Sequence, residues 1–370
     1  MSWQPNVPYN ELPALPPARE VETKAVLKAA IEARSALASL DQAARRITNP
    51  TVLINSIPLL EAQASSEIEN IVTTADDLFR FSQDESSATN PATKETLKYR
   101  SALFVGIALI GARPLSATTA VQVCTTVQGR DMDVRKLSGT WIGNPATKAA
   151  IYTPPSGEAL IRDKLSNWER FLHDSHGLDP LVTMAIAHYQ FEAIHPFEDG
   201  NGRTGRIMNI LLLISEGLIS QPILYLSRYI IDKKDEYYRL LLEVTRDGNW
   251  EDWVLFMLEG IRTTALSTVS KIDQIQALQD ETLVKIRTAT NAANADLLAV
   301  LFEQPYCRIS NVIERCEVSR PTATNWLNAL VRDGVLVDVK AGRERIFINS
   351  RLFQLLMRPE SAPEPEPTLF

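Results

Sequence analysis

From His195 to Arg206 the chain reads His-Pro-Phe-Glu-Asp-Gly-Asn-Gly-Arg-Thr-Gly-Arg. An imidazole, a carboxylate, glycines and arginines thus share one loop at the head of an apolar helical stretch. An imidazole titrates near neutral pH and can take a proton from a hydroxyl, so His195 is the candidate general base. Gly200 and Gly202 let the backbone curl and approach an anion without a Cβ in the way. Asn201 tolerates the same left-handed conformations and adds an amide donor. Unpaired N–H groups and the positive end of the helix dipole favour phosphate at such a helix start. Arg203 and Arg206 supply planar, permanently charged groups for the β- and γ-phosphates, and Asp199 a hard oxygen for Mg²⁺. Phe197 anchors the loop in the core. Taken singly, His-Pro-Phe is an ordinary helix end and Gly-Asn-Gly-Arg an ordinary turn. Together they are equipment for holding a triphosphate and activating a nucleophile against it.

The elements that must position this loop are mainly helical. At 370 residues and 45% apolar composition the chain can build two or three domains with ample cores. A net charge of −7 argues against broad attraction to nucleic acid or anionic membranes. Apolar runs such as Ile210 to Ile214 are too short to span a bilayer, and no secretory leader is visible, so a cytoplasmic location is expected. Cys124, Cys307 and Cys316 lack metal-binding spacing and read as reduced thiols. A proline-rich arm to about Val21 precedes a long amphipathic helix from Glu22 to Ile47. A second helix is expected to begin at Ser56-Ile57-Pro58, followed by stretches over Asp76 to Phe81, Lys94 to Gly111, Ala117 to Val127, Gly157 to His173 and Asp179 to Ala193. Thr140 to Pro145 and Ala150 to Pro155 form a hairpin around a Gly-Asn-Pro turn. Further helices cover Ile207 to Ser215, Lys234 to Val244 and Trp250 to Ile261, with a separate linker helix from Arg262.

The loop resembles the signature of the Fic family, and every residue that family requires is present. The resemblance implies a Fic-type helical core over residues 111–261, behind an N-terminal helical region, 1–110. It further implies an enzyme that transfers AMP from ATP to a Tyr, Thr or Ser hydroxyl of a protein target. His195 would then be the base, Gly200, Asn201, Gly202, Arg203, Thr204, Gly205 and Arg206 would bind ATP, and Asp199 would hold Mg²⁺. Relatives of the Doc toxin type carry Lys at the position of Gly202, so Gly202 favours nucleotidyl over phosphoryl transfer. The hairpin falls where the family has a flap that docks the target by strand addition, which makes Ile151, Tyr152 and Thr153 the contact residues. Tyr237 and Tyr238 match a pair that covers the base. Adjacent helical positions face different ways, so only one of them can do so, and Tyr238 is chosen. A homodimer is suggested by analogy alone. His188 reads as a satisfied structural histidine.

Ser65-Ser66-Glu67-Ile68-Glu69-Asn70 fits the inhibitory pattern of the same family, on a helix expected at about 57–72. By that likeness Ser65, Glu69 and Asn70 form a brake, Glu69 pairing bidentately with Arg206 and withdrawing it from the γ-phosphate. Relatives with this glutamate also remove AMP from modified targets, which is an alternative activity. After the linker helix, 262–291, residues 292–358 show the order helix, helix, helix, hairpin of a winged helix-turn-helix. This raises a second function class, a DNA-binding regulator with Ser319, Arg320, Thr322, Thr324 and Asn325 opening the recognition helix and Arg343 and Arg345 in the wing. Nine basic and seven acidic residues from Asp296 to Arg358 make its electrostatic footprint weak. The tail, 359–370, is proline- and glutamate-rich and reads as disordered.

Overall fold

The computed structural model describes residues 3–358 except 48, 83–84, 145–148, 175–176, 291–293 and 342–343. Part of the expected hairpin turn, His176, Arg343 and the tail therefore lie outside the described residues. The fold is mainly α, as the composition and periodicity indicate, with two small sheets.

The N-terminal arm is extended but not free. Its prolines remove N–H donors and leave carbonyls to be satisfied. Side chains on neighbouring elements do this: Lys164 Nζ donates to Leu12 O (2.7 Å), Gln190 to Pro13 O (2.8 Å) and Asn167 Nδ2 to Leu15 O (2.9 Å). Leu12 and Leu15 are buried beside them.

Helix α1 (Lys24–Arg46) starts at Thr23, whose hydroxyl caps Val26 N. It buries Val26, Ala30, Ala33, Leu37, Leu40 and Ala44, alternating steps of four and three. Its partner is α11 (Trp250–Thr290), which keeps the same rhythm through Leu258, Ile261, Ala265, Thr268, Ile272, Ile275, Gln279, Thr282 and Ile286. This is the seam pattern of a left-handed helix pair. The seam corrects the expected boundary at Ile261: the core helix and the supposed linker are one continuous element. No proline interrupts it, and Gly260 is where the ring of Tyr229 presses close, within 2.8 Å of a would-be Cβ.

Helix α2 (Thr51–Ile68) begins a turn earlier than expected and ends four residues sooner than Val72. Pro58 lies inside it rather than at its start. Burial of Val52, Leu53 and Ile57 outweighs the one carbonyl that Pro58 leaves without a helical partner. Short α3 (Ala75–Phe81) follows, then α4 (Pro91–Ala112) and α5 (Ala117–Gln128). Strands β1 (Ile142–Asn144) and β2 (Ala149–Tyr152) pair antiparallel as the expected hairpin. Helices α6 (Glu158–His173), α7 (Pro180–Ile194) and α8 (Asn201–Ser215) come next, with α7 buried along almost its whole length. Helix α9 (Leu226–Asp232), missed in the sequence, precedes α10 (Lys234–Asp247).

The C-terminal unit has α12 (Ala295–Glu303), β3 (Tyr306–Arg308), α13 (Ile309–Cys316), α14 (Arg320–Arg332), β4 (Val337–Ala341), β5 (Glu344–Ile348) and α15 (Ser350–Met357). The strands form a sheet in the order β3-β5-β4, so the wing gains a third strand that local patterning did not reveal. This unit docks on α2 and α3. Tyr306 stacks on Phe79 and its hydroxyl donates to Asp76, Asn55 donates to Glu303 O (3.1 Å) and Ser82 to Gln304 (2.6 Å).

Candidate active site

The site is built where α7 ends and α8 begins. His195 caps α7 with φ +50°, and Gly200 opens α8 with φ +82°. Both are left-handed, a conformation that costs a histidine energy and a glycine none. The loop between them is locked by Asn201. Its Oδ1 accepts from Phe197 N (2.8 Å) and its Nδ2 donates to Phe197 O (2.9 Å). The Asn201 amide is therefore a loop staple and not the anion donor expected of it. Asp199 Oδ1 accepts from Gly200 N (2.6 Å), and Asp199 is otherwise exposed.

A second lock went unseen in the sequence. Buried Arg135 lies 60 residues upstream, and its Nε donates to His195 O (2.8 Å). Its Nη2 donates to Ile194 O (3.3 Å) and to Pro155 O, tying the end of α7 to the end of the flap. No local pattern marks Arg135, because its partners are carbonyls that any residue carries. His195 is half-buried. Burial foremost, then the positive Arg135, push its pKa down to about 4, so the ring is neutral at pH 7. His188 is fully internal, hydrogen-bonded to Tyr237 Oη at 2.9 Å and stacked on Trp253, as a structural histidine should be.

Helix α8 sorts the other motif residues by face. Thr204 is buried, and Gly205 faces Phe191, Glu192 and His188. Neither side faces the cradle, a correction to their expected role as ATP ligands: successive helical positions diverge, and these two fall on the packed side. Arg203 is also drawn inward, its Nη1 pairing with Glu95 Oε1 at 2.7 Å while 2% of the side chain is exposed. The first turn of α8 keeps its outward N–H groups for an anion.

That anion is supplied by the chain itself. Arg206 Nη2 donates to Glu69 Oε1 (2.8 Å) and to Ser65 O (2.8 Å), and its Nε donates to Ser65 Oγ (2.8 Å). The contact with Glu69 is a single bond rather than the expected bidentate fork, because Ser65 takes the other guanidinium edge. A Cβ at Gly202 would overlap Glu69 Oε1, so the carboxylate rests directly on the first turn of α8. Burial alone would raise the Glu69 pKa. The charge and hydrogen bond of Arg206 outweigh it and hold the group below the usual range. Glu69 caps α2, and Asn70 follows with φ +63°, which explains why the pattern ends in a residue tolerant of left-handed backbone.

At the flap, Ile151 is exposed, but Tyr152 and Thr153 are committed inward. Tyr152 Oη donates to Ala193 O (2.8 Å), Thr153 Oγ1 donates to Pro5 O (2.7 Å) and Thr153 O accepts from Tyr9 N (3.0 Å). Two of the three expected docking residues thus hold the arm and α7 in place. Tyr237 is buried and Tyr238 is 41% exposed, which makes Tyr238 the member of the pair free to meet a ligand.

The Fic/DOC family N-terminal model matches residues 27–108, the Fic/DOC family model residues 122–213, and the C-terminal domain model of SoFic-like protein adenylyltransferases residues 278–352. The chain belongs to the Fic/DOC family. Within the Fic family it is similar to the protein adenylyltransferase Fic of Drosophila melanogaster, 31% identical over 112 residues, 30% of this chain and 21% of that protein. It is also similar to the protein adenylyltransferase fic-1 of Caenorhabditis elegans, 36% identical over 92 residues, 24% of this chain and 17% of that one. The matches thus span about a fifth of the length of these curated relatives. A solved Fic family protein from Desulfovibrio desulfuricans G20 shares the fold over 90% of this chain and 98% of that one, with a TM-score of 0.60 at 20% identity. A Fic-1 fragment from C. elegans has a TM-score of 0.51 at 19% identity, over 66% of this chain and 73% of that chain. No helix among the described residues is long and apolar enough to cross a membrane.

Proposed function

We propose that this Fic protein transfers AMP from ATP to a hydroxyl of a protein target and is held back by its own Glu69. The observation that carries the reading is the Glu69 carboxylate seated on Gly202 and hydrogen-bonded to Arg206, beside a neutral His195. A cradle that already accepts one anion is suited to phosphate. With Glu69 removed, Arg206 would meet the γ-phosphate and the α8 N–H groups the α-phosphate. His195 then takes the proton from the incoming hydroxyl as its oxygen attacks the α-phosphorus and pyrophosphate leaves. Asp199, which is exposed, would supply a protein oxygen to a Mg²⁺ that neutralises phosphate charge.

Glu69→Gly should raise self-labelling with α-labelled ATP by on the order of tenfold to a hundredfold, the worth of one charge-assisted contact. Adding His195→Ala should abolish it. Labelling that survives the second change, or does not rise with the first, would refute the respective half of the reading.

A further inference from the structure

Arg206 is buried, and a buried guanidinium that loses its counter-charge is costly. Exchange of Glu69 for a phosphate therefore needs something behind Arg206 that stays in place. A second carboxylate lies there. Glu61 is on α2, four residues before Ser65 and eight before Glu69, and is 1% exposed. Its Oε2 accepts from Ser227 N (2.9 Å), and its Oε1 from Ser227 Oγ and from Tyr99 Oη (3.1 Å). Tyr99, buried on α4, gives its one proton to Glu61 and can only accept elsewhere. Burial foremost, then Glu61, raise the Tyr99 pKa, while Arg206 and a hydrogen bond from Ser65 act the other way. Ser65 Oγ in turn accepts from Arg206 Nε (2.8 Å). The donors thus point one way, from Arg206 through Ser65 and Tyr99 to Glu61.

We propose that Glu61 and Tyr99 are positioning residues for Arg206, holding its Nε edge through Ser65 while its Nη2 exchanges Glu69 for the γ-phosphate. This rests on the reading that Arg206 meets the γ-phosphate of ATP. Removal of Glu69 takes one bond from Nη2 and leaves those to Ser65 Oγ and Ser65 O, so the side chain keeps its direction. Away from water, each link in such a chain polarises the next, and the carboxylate at its end is felt at the guanidinium. The influence is mutual: burial raises the Glu61 pKa, whereas the Ser227 and Tyr99 bonds and the charge of Arg206 oppose that rise. Glu61 and Tyr99 act on the nucleotide only through Arg206.

The test is calorimetric binding in a Glu69→Gly/His195→Ala background, comparing ATP with ADP, which lacks the phosphate that Arg206 would meet. The parent should favour ATP by about tenfold or more. Tyr99→Phe keeps the buried ring and removes the hydroxyl, and should cut that preference by about threefold to tenfold. Glu61→Gln, which keeps the shape without the charge, should do the same. The two together should fall no further than either alone, as links of one chain do. Val52→Ala deletes a buried side chain elsewhere on α2, so it should lower the melting temperature and leave the preference intact. An unchanged preference in Tyr99→Phe, additive falls in the double variant or an equal fall in Val52→Ala overturns the assignment and leaves the γ-phosphate reading standing. A parent that binds ATP and ADP alike overturns that reading as well. Because preference is a ratio measured within one protein, partial loss of folded material does not alter it.

Discussion

Asn70 shows how one backbone angle can set an activity. Its φ of +63° turns the chain out of α2 directly after Glu69 and aims that carboxylate at Gly202. Glycine adopts this conformation freely, whereas a Cβ without a helpful polar group strains it by about 1 kcal/mol. Asn70→Gly should therefore leave self-labelling low, and Asn70→Val should lower the melting temperature and raise labelling toward the Glu69→Gly level. Equal labelling by both variants would detach the cap from the brake. His195 carries the other residue-scale consequence. Its pKa is depressed to about 4, so the base stays deprotonated until the pH falls well below that of an ordinary imidazole. Glu69 is among the influences that raise this pKa, so loss of its charge works toward a neutral ring. The rate of Glu69→Gly enzyme should be flat from pH 8 down to roughly 5.5. A rate that halves near pH 6.5 would show the ring to be unperturbed.

At the scale of elements, the site is a junction of α2, α7 and α8 closed by the flap. Arg135 clamps α7 to the flap through carbonyls, and among the described residues none of its hydrogen bonds reaches the cradle of α8. Arg135→Lys cannot reproduce a fork of several donors in fixed directions. It should lower kcat for transfer about tenfold or more, because a base displaced by an ångström loses its alignment. KM for ATP should stay near the parent value. A rise in KM with unchanged kcat would place Arg135 in nucleotide binding instead. The α2 helix is itself fixed from behind, since buried Glu61 accepts from Ser227 N (2.9 Å) and Tyr99 Oη (3.1 Å). The helix that carries the brake is thus anchored by tertiary hydrogen bonds, and release requires α2 to move or Glu69 to swing.

Across the whole molecule, the C-terminal unit rests on α2 and α3, the part of the chain that carries the brake. Its order of helices and strands fits the winged pattern, but its charge does not serve DNA well. Arg345 is held by Asp338 (2.7 Å) and Asn328 (3.1 Å) and covers the Phe347 ring. With nine basic against seven acidic residues from Asp296 to Arg358, few charges remain to displace counterions. The full chain should give no sequence-dependent gel shift at 50 mM salt. Retention of one duplex over others of equal length would restore the regulator reading. The aromatic stack of Phe79 on Tyr306 should matter more: Phe79→Ala removes a buried ring at this contact and should cost about 3 kcal/mol.

The loop from His195 to Arg206 was legible from the residues because its physics is local, whereas the Ser65 to Asn70 pattern was read from its likeness to the Fic family. Left-handed glycines, a helix start with unpaired N–H groups and a tolerant residue after a cap all act within a few positions. Helix identities and the hairpin followed from periodicity for the same reason. Tertiary packing decided which way each side chain points. Arg203 turns to Glu95, Thr204 and Gly205 face inward, and Tyr152 and Thr153 serve α7 and the arm. It also joined two expected helices into α11, whose chief partner is α1. Such directions depend on partners far along the chain, as with Glu69 and Arg206 at a separation of 137, and composition or spacing carries no record of them.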